Sequence, residues 1–324
     1  MTKRTIRVAL LINDTPVPAV LEEDGTYYDI YKRWLLQSLS TYPDTVIAKT
    51  TELIIDGYDV VDKREYPPED RLLANSKNGY DAIMLTGSKH TAHDPSNPFA
   101  PPLISFIRRL TSSAEYSHLK FIGICFGHQI LSLALGGECA SGQNGWEIGV
   151  YGCKLTEEGK KWWTWHGDED EKKEDGGSGH EKDGKRVNGV IENGNGHVRV
   201  DGQGGEDKVY LEQMHRDHVP SVPPSCHLLL STPQYPVHSF VRYHPLSSPS
   251  NPIAQILTVQ GHPEFTPSIV SHIIDARSST GVFSPEVTKE ARRRAGGKGT
   301  GGEGFGRIGW SIWKVLLQNV PVQG

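Results

Sequence analysis

The apolar positions in the first half of the chain fall into short runs that alternate with amphipathic stretches. Runs at residues 8–12, 81–85 and 120–124 are short and rich in aliphatic side chains, which favours buried strands. Residues 30–39 and 102–110 carry apolar side chains at helical spacing. Strands that alternate with helices predict an α/β fold, in which a mostly parallel sheet carries helices on both faces.

The second half of the chain shows a denser series of apolar runs. Four of them are predicted to be strands that pair in an antiparallel manner, at residues 148–155, 209–213, 227–230 and 239–243. Residues 253–260 form a further apolar, β-branched run, and residues 266–277 return to a helical pattern. Thr266 and Pro267 match the residues preferred at the N-cap and at the first position of a helix.

Two segments interrupt this regular pattern. Residues 167–207 consist mainly of Asp, Glu, Lys and Gly, a composition that buries too little apolar surface to offset the entropy lost on ordering. We therefore expect a disordered surface insertion there, within a domain that spans residues 1–291. Glycine repeats predict a mobile segment at residues 292–306, and an apolar stripe predicts a C-terminal helix within residues 307–324.

Composition narrows the classes of function. The chain has 324 residues and a formal net charge of −5, so it has no electrostatic reason to bind nucleic acid. No apolar stretch approaches the length of a membrane span. The four cysteines show no Cys-x-x-Cys spacing, which argues against a disulfide framework and a zinc site. We expect a soluble cytoplasmic protein; the basic triplet Arg292–Arg294 leaves nuclear access open, although it also suits the end of a helix.

The most informative sequence is the pentapeptide Gly123, Ile124, Cys125, Phe126 and Gly127, which stands between a predicted strand and a predicted helix. Small residues two positions before and after a nucleophile allow the chain to fold back sharply, as in a nucleophile elbow. The N-terminus of the following helix favours a thiolate there. A lone cysteine is more often a buried structural residue. The flanking glycines favour a nucleophile.

A base for this nucleophile follows another strand. His262 and Glu264 come directly after the apolar run 253–260, separated by Pro263. Side chains two residues apart in extended chain project to the same side, so Glu264 can orient one imidazole nitrogen while the other faces a thiol. By itself, His-Pro-Glu is an ordinary loop sequence. Together with the cysteine elbow, it predicts a Cys125, His262 and Glu264 triad.

These residues resemble the class I glutamine amidotransferases. The elbow pattern Gly-x-Cys-x-Gly-x-Gln is matched by residues 123–129, and the downstream His-Pro-Glu is matched by residues 262–264. Residues 85–88 occupy the place of the family's oxyanion loop, and residues 213–219 are similar to its His-x-Asp-x-Val segment. The Thr-Gly-Ser sequence of that loop most resembles the stand-alone branch, which includes plant γ-glutamyl peptidases and uncharacterised fungal proteins. The resemblance implies a flavodoxin-like layering and a Cys-His-Glu hydrolase.

The resemblance also implies roles for residues around the triad. The backbone N–H groups of Phe126 and of the loop at Gly87 and Ser88 are expected to stabilise the oxyanion. Gln129 and the backbone around His215 are expected to recognise the glutamate head group. The side chain of Arg216 is a candidate clamp for its carboxylate, because a guanidinium binds carboxylates in a bidentate manner.

A metal site is not expected at this stage. His215 and His218 have a metal-like spacing, but no third ligand motif accompanies them and the resemblance implies no metal or other cofactor. Three functions remain open: a hydrolase of γ-glutamyl amide bonds in glutamine or γ-glutamyl peptides, a subunit that supplies ammonia to a separate synthase, and a non-catalytic regulatory protein. The missing synthase domain favours the hydrolase, and the intact triad argues against the regulatory protein.

Overall fold

A computed structural model of the chain describes residues 3–165, 207–295 and 303–320, together with the backbone of three short strands between residues 186 and 200. The strands are β1 (Arg4–Ile12), β2 (Thr51–Asp59), β3 (Ala82–Leu85), β4 (Lys120–Ile124), β5 (Glu147–Leu155), β6 (Arg186–Val187), β7 (Val190–Glu192), β8 (Val198–Val200), β9 (Lys208–His215), β10 (His227–Ser231), β11 (Ser239–Tyr243) and β12 (Ala254–Val259). The helices are α1 (Pro18–Asp24), α2 (Tyr27–Ser40), α3 (Thr45–Thr50), α4 (Ala100–Ser112), α5 (Phe126–Ala134), α6 (Glu157–Trp163), α7 (Pro267–Ser279), α8 (Pro285–Ala295) and α9 (Gly309–Leu316).

One large sheet organises the fold. Its nine strands lie in the order β2, β1, β3, β4, β12, β11, β10, β5 and β9. The strands from β2 to β12 are parallel, and those from β12 to β9 are joined by antiparallel pairings. The predicted α/β fold is confirmed, and the predicted antiparallel strands continue the parallel sheet at one edge.

Helices cover both faces of this sheet, as alternation along β1 shows. Val8 and Leu10 belong to an apolar cluster shared with α2, whereas Ala9 and Leu11 belong to a second cluster shared with α4. Successive strand residues point to opposite faces, so one strand contributes to both clusters. The parallel strand β4 is buried at all five positions, which is why its sequence reads as a continuous apolar run.

Within residues 307–324, where a C-terminal helix is predicted, the structure places helix α9 at Gly309–Leu316. Helix α9 follows a π-helical turn at Gly304–Ile308, and the indole N–H of Trp313 donates to the Leu35 carbonyl oxygen at 2.8 Å. The indole of Trp34 donates to the Gly304 carbonyl oxygen at 2.9 Å. These contacts join the end of the chain to α2, within the same core as the sheet.

The predicted mobile segment 292–306 needs correction at both ends. Residues 292–295 complete helix α8, where the basic triplet occupies the last turn as its charge favours. Gly304 is buried beneath α2. Residues 296–302 lie outside the described residues, so mobility there stays a prediction. The predicted insertion 167–207 also lies outside them, apart from Asp207 and the strands β6, β7 and β8.

Several elements were not predicted. They are the edge strand β2, the small strands β6, β7 and β8, and the helices α1, α3, α6 and α8. Strand β2 is buried at one of its nine positions, and α8 buries only Ala291, so neither carries a strong apolar pattern. Among the described helices, none combines the length and the apolar character needed to cross a bilayer.

Candidate active site

Three neighbouring parallel strands end at the same edge of the sheet and bring the predicted site together. Strand β4 lies between β3 and β12, with Leu85 opposite Gly123 and Val259 opposite Ile124. Gly87, Cys125 and His262 follow the ends of these three strands. Ligands of open α/β sheets bind outside the carboxyl ends of the strands, which is where these residues lie.

The turn at Cys125 has the backbone geometry of a nucleophile elbow. Cys125 adopts φ 50° and ψ −103°, a conformation that costs a non-glycine residue on the order of 1–3 kcal/mol. A Cβ atom on Gly127 would lie 2.5 Å from the Leu85 carbonyl oxygen, and one on Gly123 would lie 2.6 Å from the Gly127 carbonyl oxygen. The flanking glycines are therefore required by close backbone packing.

His262 and Glu264 form the pair that their spacing predicts. The imidazole Nδ1 lies 2.8 Å from Glu264 Oε1, and both residues are at most 5% exposed. Phe265 stacks on the imidazole, with ring centroids 4.0 Å apart and planes 8° from parallel. Glu264 and Phe265 together fix the plane of the ring. The sequence did not single out Phe265.

The charges around His262 favour an imidazolium. Burial lowers the pKa of His262, but the charges of Cys125 and Glu264 and hydrogen bonds to both outweigh burial and raise this pKa to about 10. The Glu264 carboxylate lies against Nδ1. The imidazole can therefore stay protonated while it lies between a thiolate and a carboxylate. This arrangement can deliver a proton to a leaving group beside the sulfur atom.

The loop after β3 meets the imidazole at Gly87. A Cβ atom there would lie 2.7 Å from His262 Cε1, so only glycine admits the ring. The Gly87 N–H donates to the Tyr31 hydroxyl at 3.1 Å. Burial and the nearby Glu264 carboxylate raise the pKa of Tyr31 well above its usual value, so the hydroxyl keeps its proton. Tyr31 thus links this loop to Glu264, a connection that no local motif indicates.

The two residues of the predicted oxyanion loop differ in their hydrogen bonds. The Gly87 N–H is directed to the Tyr31 hydroxyl and is therefore committed within the protein. The Ser88 side chain accepts a hydrogen bond from the His90 N–H at 3.1 Å. Phe126 begins helix α5 directly after Cys125, so its amide belongs to the unpaired first turn of that helix.

Gln129 and the segment 215–218 are brought together by hydrogen bonds. The Gln129 side-chain amide donates to the Asp217 carbonyl oxygen at 3.0 Å and to Gln260 Oε1 at 3.2 Å. Both of its donor hydrogens are therefore committed within the protein. Arg216 is exposed and lies over the Trp146 ring at 5.4 Å. The structure places its guanidinium on the protein surface and not among the residues of the cavity described below.

The His215 side chain belongs to a separate buried cluster. Its Nε2 lies 3.1 Å from Glu147 Oε2, and the same oxygen lies 3.0 Å from His238 Nε2. Burial raises the pKa of Glu147, but the two histidines outweigh burial and lower it to about 2. These three residues are the group among the described ones that could hold a metal ion, and His218 is not part of it. Their mutual hydrogen bonds already satisfy the facing atoms.

A cavity of about 320 Å³ opens beside His262. The charged residues that line it are Asp14, Lys89 and Arg277, and Ser88 of the oxyanion loop also borders it. Asp14 is paired with Lys89 at 2.8 Å. Sequence reasoning identified neither this cavity nor Arg277, because its walls come from four separate parts of the chain.

Comparisons with known proteins agree with this geometry. The model of the family described as glutamine amidotransferase class-I matches residues 57–275. A glutamine amidotransferase-like protein of Schizosaccharomyces pombe is 29% identical over 291 residues, which cover 89% of this chain and 91% of the relative. Gamma-glutamyl peptidase 3 of Arabidopsis thaliana is 22% identical over 88% of both chains.

A solved structure shows the same fold. The chain is similar to the crystal structure of a glutamine amidotransferase from Thermotoga maritima, with a TM-score of 0.54 and 17% sequence identity. The similarity covers 97% of this chain and 99% of that one. Because the family model spans more than half of the sequence and includes the cysteine elbow, the chain belongs to the class I glutamine amidotransferase family.

Proposed function

We propose that this protein is a cysteine hydrolase that cleaves γ-glutamyl amide bonds. The observation that carries the proposal is the order of groups at the strand ends, where Cys125 occupies a strained elbow and His262 lies between it and Glu264. A thiolate, a proton-holding imidazole and an orienting carboxylate are the parts needed for acyl transfer through a thioester. The peptidase names of the Arabidopsis relatives support γ-glutamyl substrates.

The reaction proceeds in two half-reactions. The Cys125 thiolate attacks the δ-carbonyl carbon, and the oxyanion accepts hydrogen bonds from the Phe126 and Ser88 amides. The His262 imidazolium gives its proton to the amine as the carbon–nitrogen bond breaks, which leaves a γ-glutamyl thioester. The neutral imidazole then removes a proton from water, which attacks the thioester. Glutamate leaves, and the thiolate and imidazolium are restored.

The test compares Cys125→Ser with wild-type protein on glutamine and a panel of γ-glutamyl dipeptides, with released glutamate and ammonia measured separately. We expect turnover to fall at least about 1,000-fold, because this pair must then activate a hydroxyl. The fold should survive, since the two side chains are almost isosteric. Glutamate release that is undiminished in Cys125→Ser, or absent in the wild type, contradicts the proposal.

A γ-glutamyl chloromethyl ketone provides a second readout that does not depend on the leaving group. We expect it to label the wild type once, at Cys125, and to label Cys125→Ser not at all. Burial raises the pKa of Cys226 to about 12 and also raises the pKa values of Cys139 and Cys153, so these thiols should remain protonated and unreactive. Cys226→Ser is the matched control and should be labelled as the wild type is.

A further inference from the structure

The cavity beside His262 lies on the side of the site where a leaving group must depart. His262 and Ser88 line it, whereas Cys125 and Gln129 do not. In the proposed reaction His262 hands its proton to the departing amine, so the amine must lie against this ring. The space next to His262 is therefore the space that the leaving group occupies.

The size of the cavity exceeds what ammonia needs. At about 30 Å³ for a water molecule, 320 Å³ holds about ten of them, whereas ammonia is close to one water in size. Apolar side chains that line it include Val17, Phe265 and Ile273. This combination of volume and apolar wall suits the side chain and backbone of an amino acid or a dipeptide.

Arg277 is the charged residue of the cavity wall that has no ion-pair partner among the described residues. Its Nε is buried without a hydrogen-bond partner, and none of the described carboxylates pairs with its guanidinium. Asp14 accepts from the Lys89 backbone and side chain and from the Thr15 N–H, so it is committed elsewhere. Asp275, on the same helix as Arg277, pairs with Arg292 at 2.7 Å.

We propose that the cavity is a leaving-group subsite in which Arg277 binds the terminal carboxylate of a γ-glutamyl peptide. A guanidinium presents parallel N–H donors that match a carboxylate, and an unpaired one beside a cavity supplies a partner for that group. The inference rests on the proposed function and specifies its substrate. The preferred substrates are γ-glutamyl peptides with a free carboxyl end, and glutamine is a poor substrate because its leaving group reaches neither the apolar wall nor Arg277.

The test uses the full chain and a matched pair of substrates, γ-glutamyl-phenylalanine and its C-terminal amide, with glutamine as the minimal substrate. We expect the wild-type kcat/KM for the acid to exceed that for the amide by about 10–100-fold, the effect of one charge-assisted bidentate contact. In Arg277→Gln this ratio should fall to near one, through loss on the acid with little change on the amide. Arg277→Lys should retain part of the preference.

The control variant is Arg292→Gln, which removes an exposed guanidinium that is paired with Asp275 on the other side of helix α7. It should leave the acid-to-amide ratio unchanged. Equal wild-type rates on acid and amide, or an equal loss on both in Arg277→Gln, overturn the subsite while the hydrolase proposal stands. Failure of the wild type to release glutamate from any substrate overturns both. Thermal unfolding of each variant excludes a loss of fold as the cause.

Discussion

At the level of single residues, the chemistry of His262 depends on which charge faces each of its ring nitrogens. Glu264 occupies Nδ1, and Cys125 supplies the opposing charge and a further hydrogen bond. Both raise the pKa, whereas burial alone lowers it. The imidazolium is therefore the form that the folded protein stabilises. This contribution to stability is complete below the ordinary pKa of 6.5 and is lost as the pH rises through about 10.

The alkaline limb of the pH profile follows from this shift. If His262 must carry the proton that the leaving amine receives, kcat/KM in the wild type should decline only as the pH approaches about 10. Glu264→Gln removes one of the charges that raise this pKa, so its alkaline limb should lie about 1–3 units lower. The measurement is kcat/KM for a γ-glutamyl peptide between about pH 6 and 11 in both proteins. Coincident limbs would show that another group controls the decline.

The residues of the proposed triad could be singled out from the sequence because their signals are local. The elbow is five consecutive residues, and the base and its orienter are two positions apart. Tyr31 and Arg277 could not be predicted, because each is separated from its neighbours in the site by many residues and lies on the core or cavity side of a helix. Helical periodicity marks a core-facing tyrosine without showing that its hydroxyl meets Gly87. Only the tertiary packing of α2 and α7 places these side chains at the site.

At the level of elements, secondary structure was predicted correctly where an element is well buried and was missed where an element is only partly buried. Strand β4 was predicted with its observed bounds, and α7 begins after Thr266, whose side chain accepts the Ile269 N–H as an N-cap. The edge strand β2 mixes polar and apolar residues because it has one neighbour and little burial. Helix α8 is polar over most of its length and buries only Ala291, so it has too few apolar residues to be recognised as a helix that packs on a core.

The strand-to-helix turn makes a stringent prediction for Gly127. In Gly127→Ala the added methyl group would press on the Leu85 backbone at 2.5 Å, which a rotamer change cannot relieve. We expect about 1–3 kcal/mol lower free energy of unfolding and a loss of Cys125 labelling by the chloromethyl ketone. Gly152→Ala is the control, because its Cβ would approach only side-chain atoms, at 3.1 Å or more. Urea unfolding of both variants measures the difference. Equal stabilities would show that the turn at Cys125 can shift to accommodate the added methyl group.

At the level of the whole molecule, one continuous sheet holds both the candidate site and the antiparallel extension. The site lies at the ends of β3, β4 and β12, and β9, at the far end of the strand order, contributes Met214 to the cavity beside His262. The small strands β6, β7 and β8 pair only with one another among the described residues. Asp207, at the end of the predicted insertion, instead belongs to the main fold, because it accepts the Leu155 N–H at 2.8 Å and pairs with Lys160 at 2.9 Å.

These contacts define how the insertion can be removed. We predict that replacing residues 168–205 with a Gly/Ser linker of about eight residues, which spans on the order of 16 Å, preserves fold and γ-glutamyl hydrolysis. The segment is rich in charged residues and glycine, so its removal loses few apolar contacts. The entropic cost of closing a loop depends only weakly on its length, so the free energy of unfolding should change by less than about 1 kcal/mol. Thermal unfolding and kcat/KM on a γ-glutamyl dipeptide provide the measurement.

A second deletion that also removes Asp207 is the matched comparison and should be less stable, because it breaks the contacts to Leu155 and Lys160. Insolubility or a non-cooperative transition in the shorter deletion would instead show that residues 168–205 contribute to the fold.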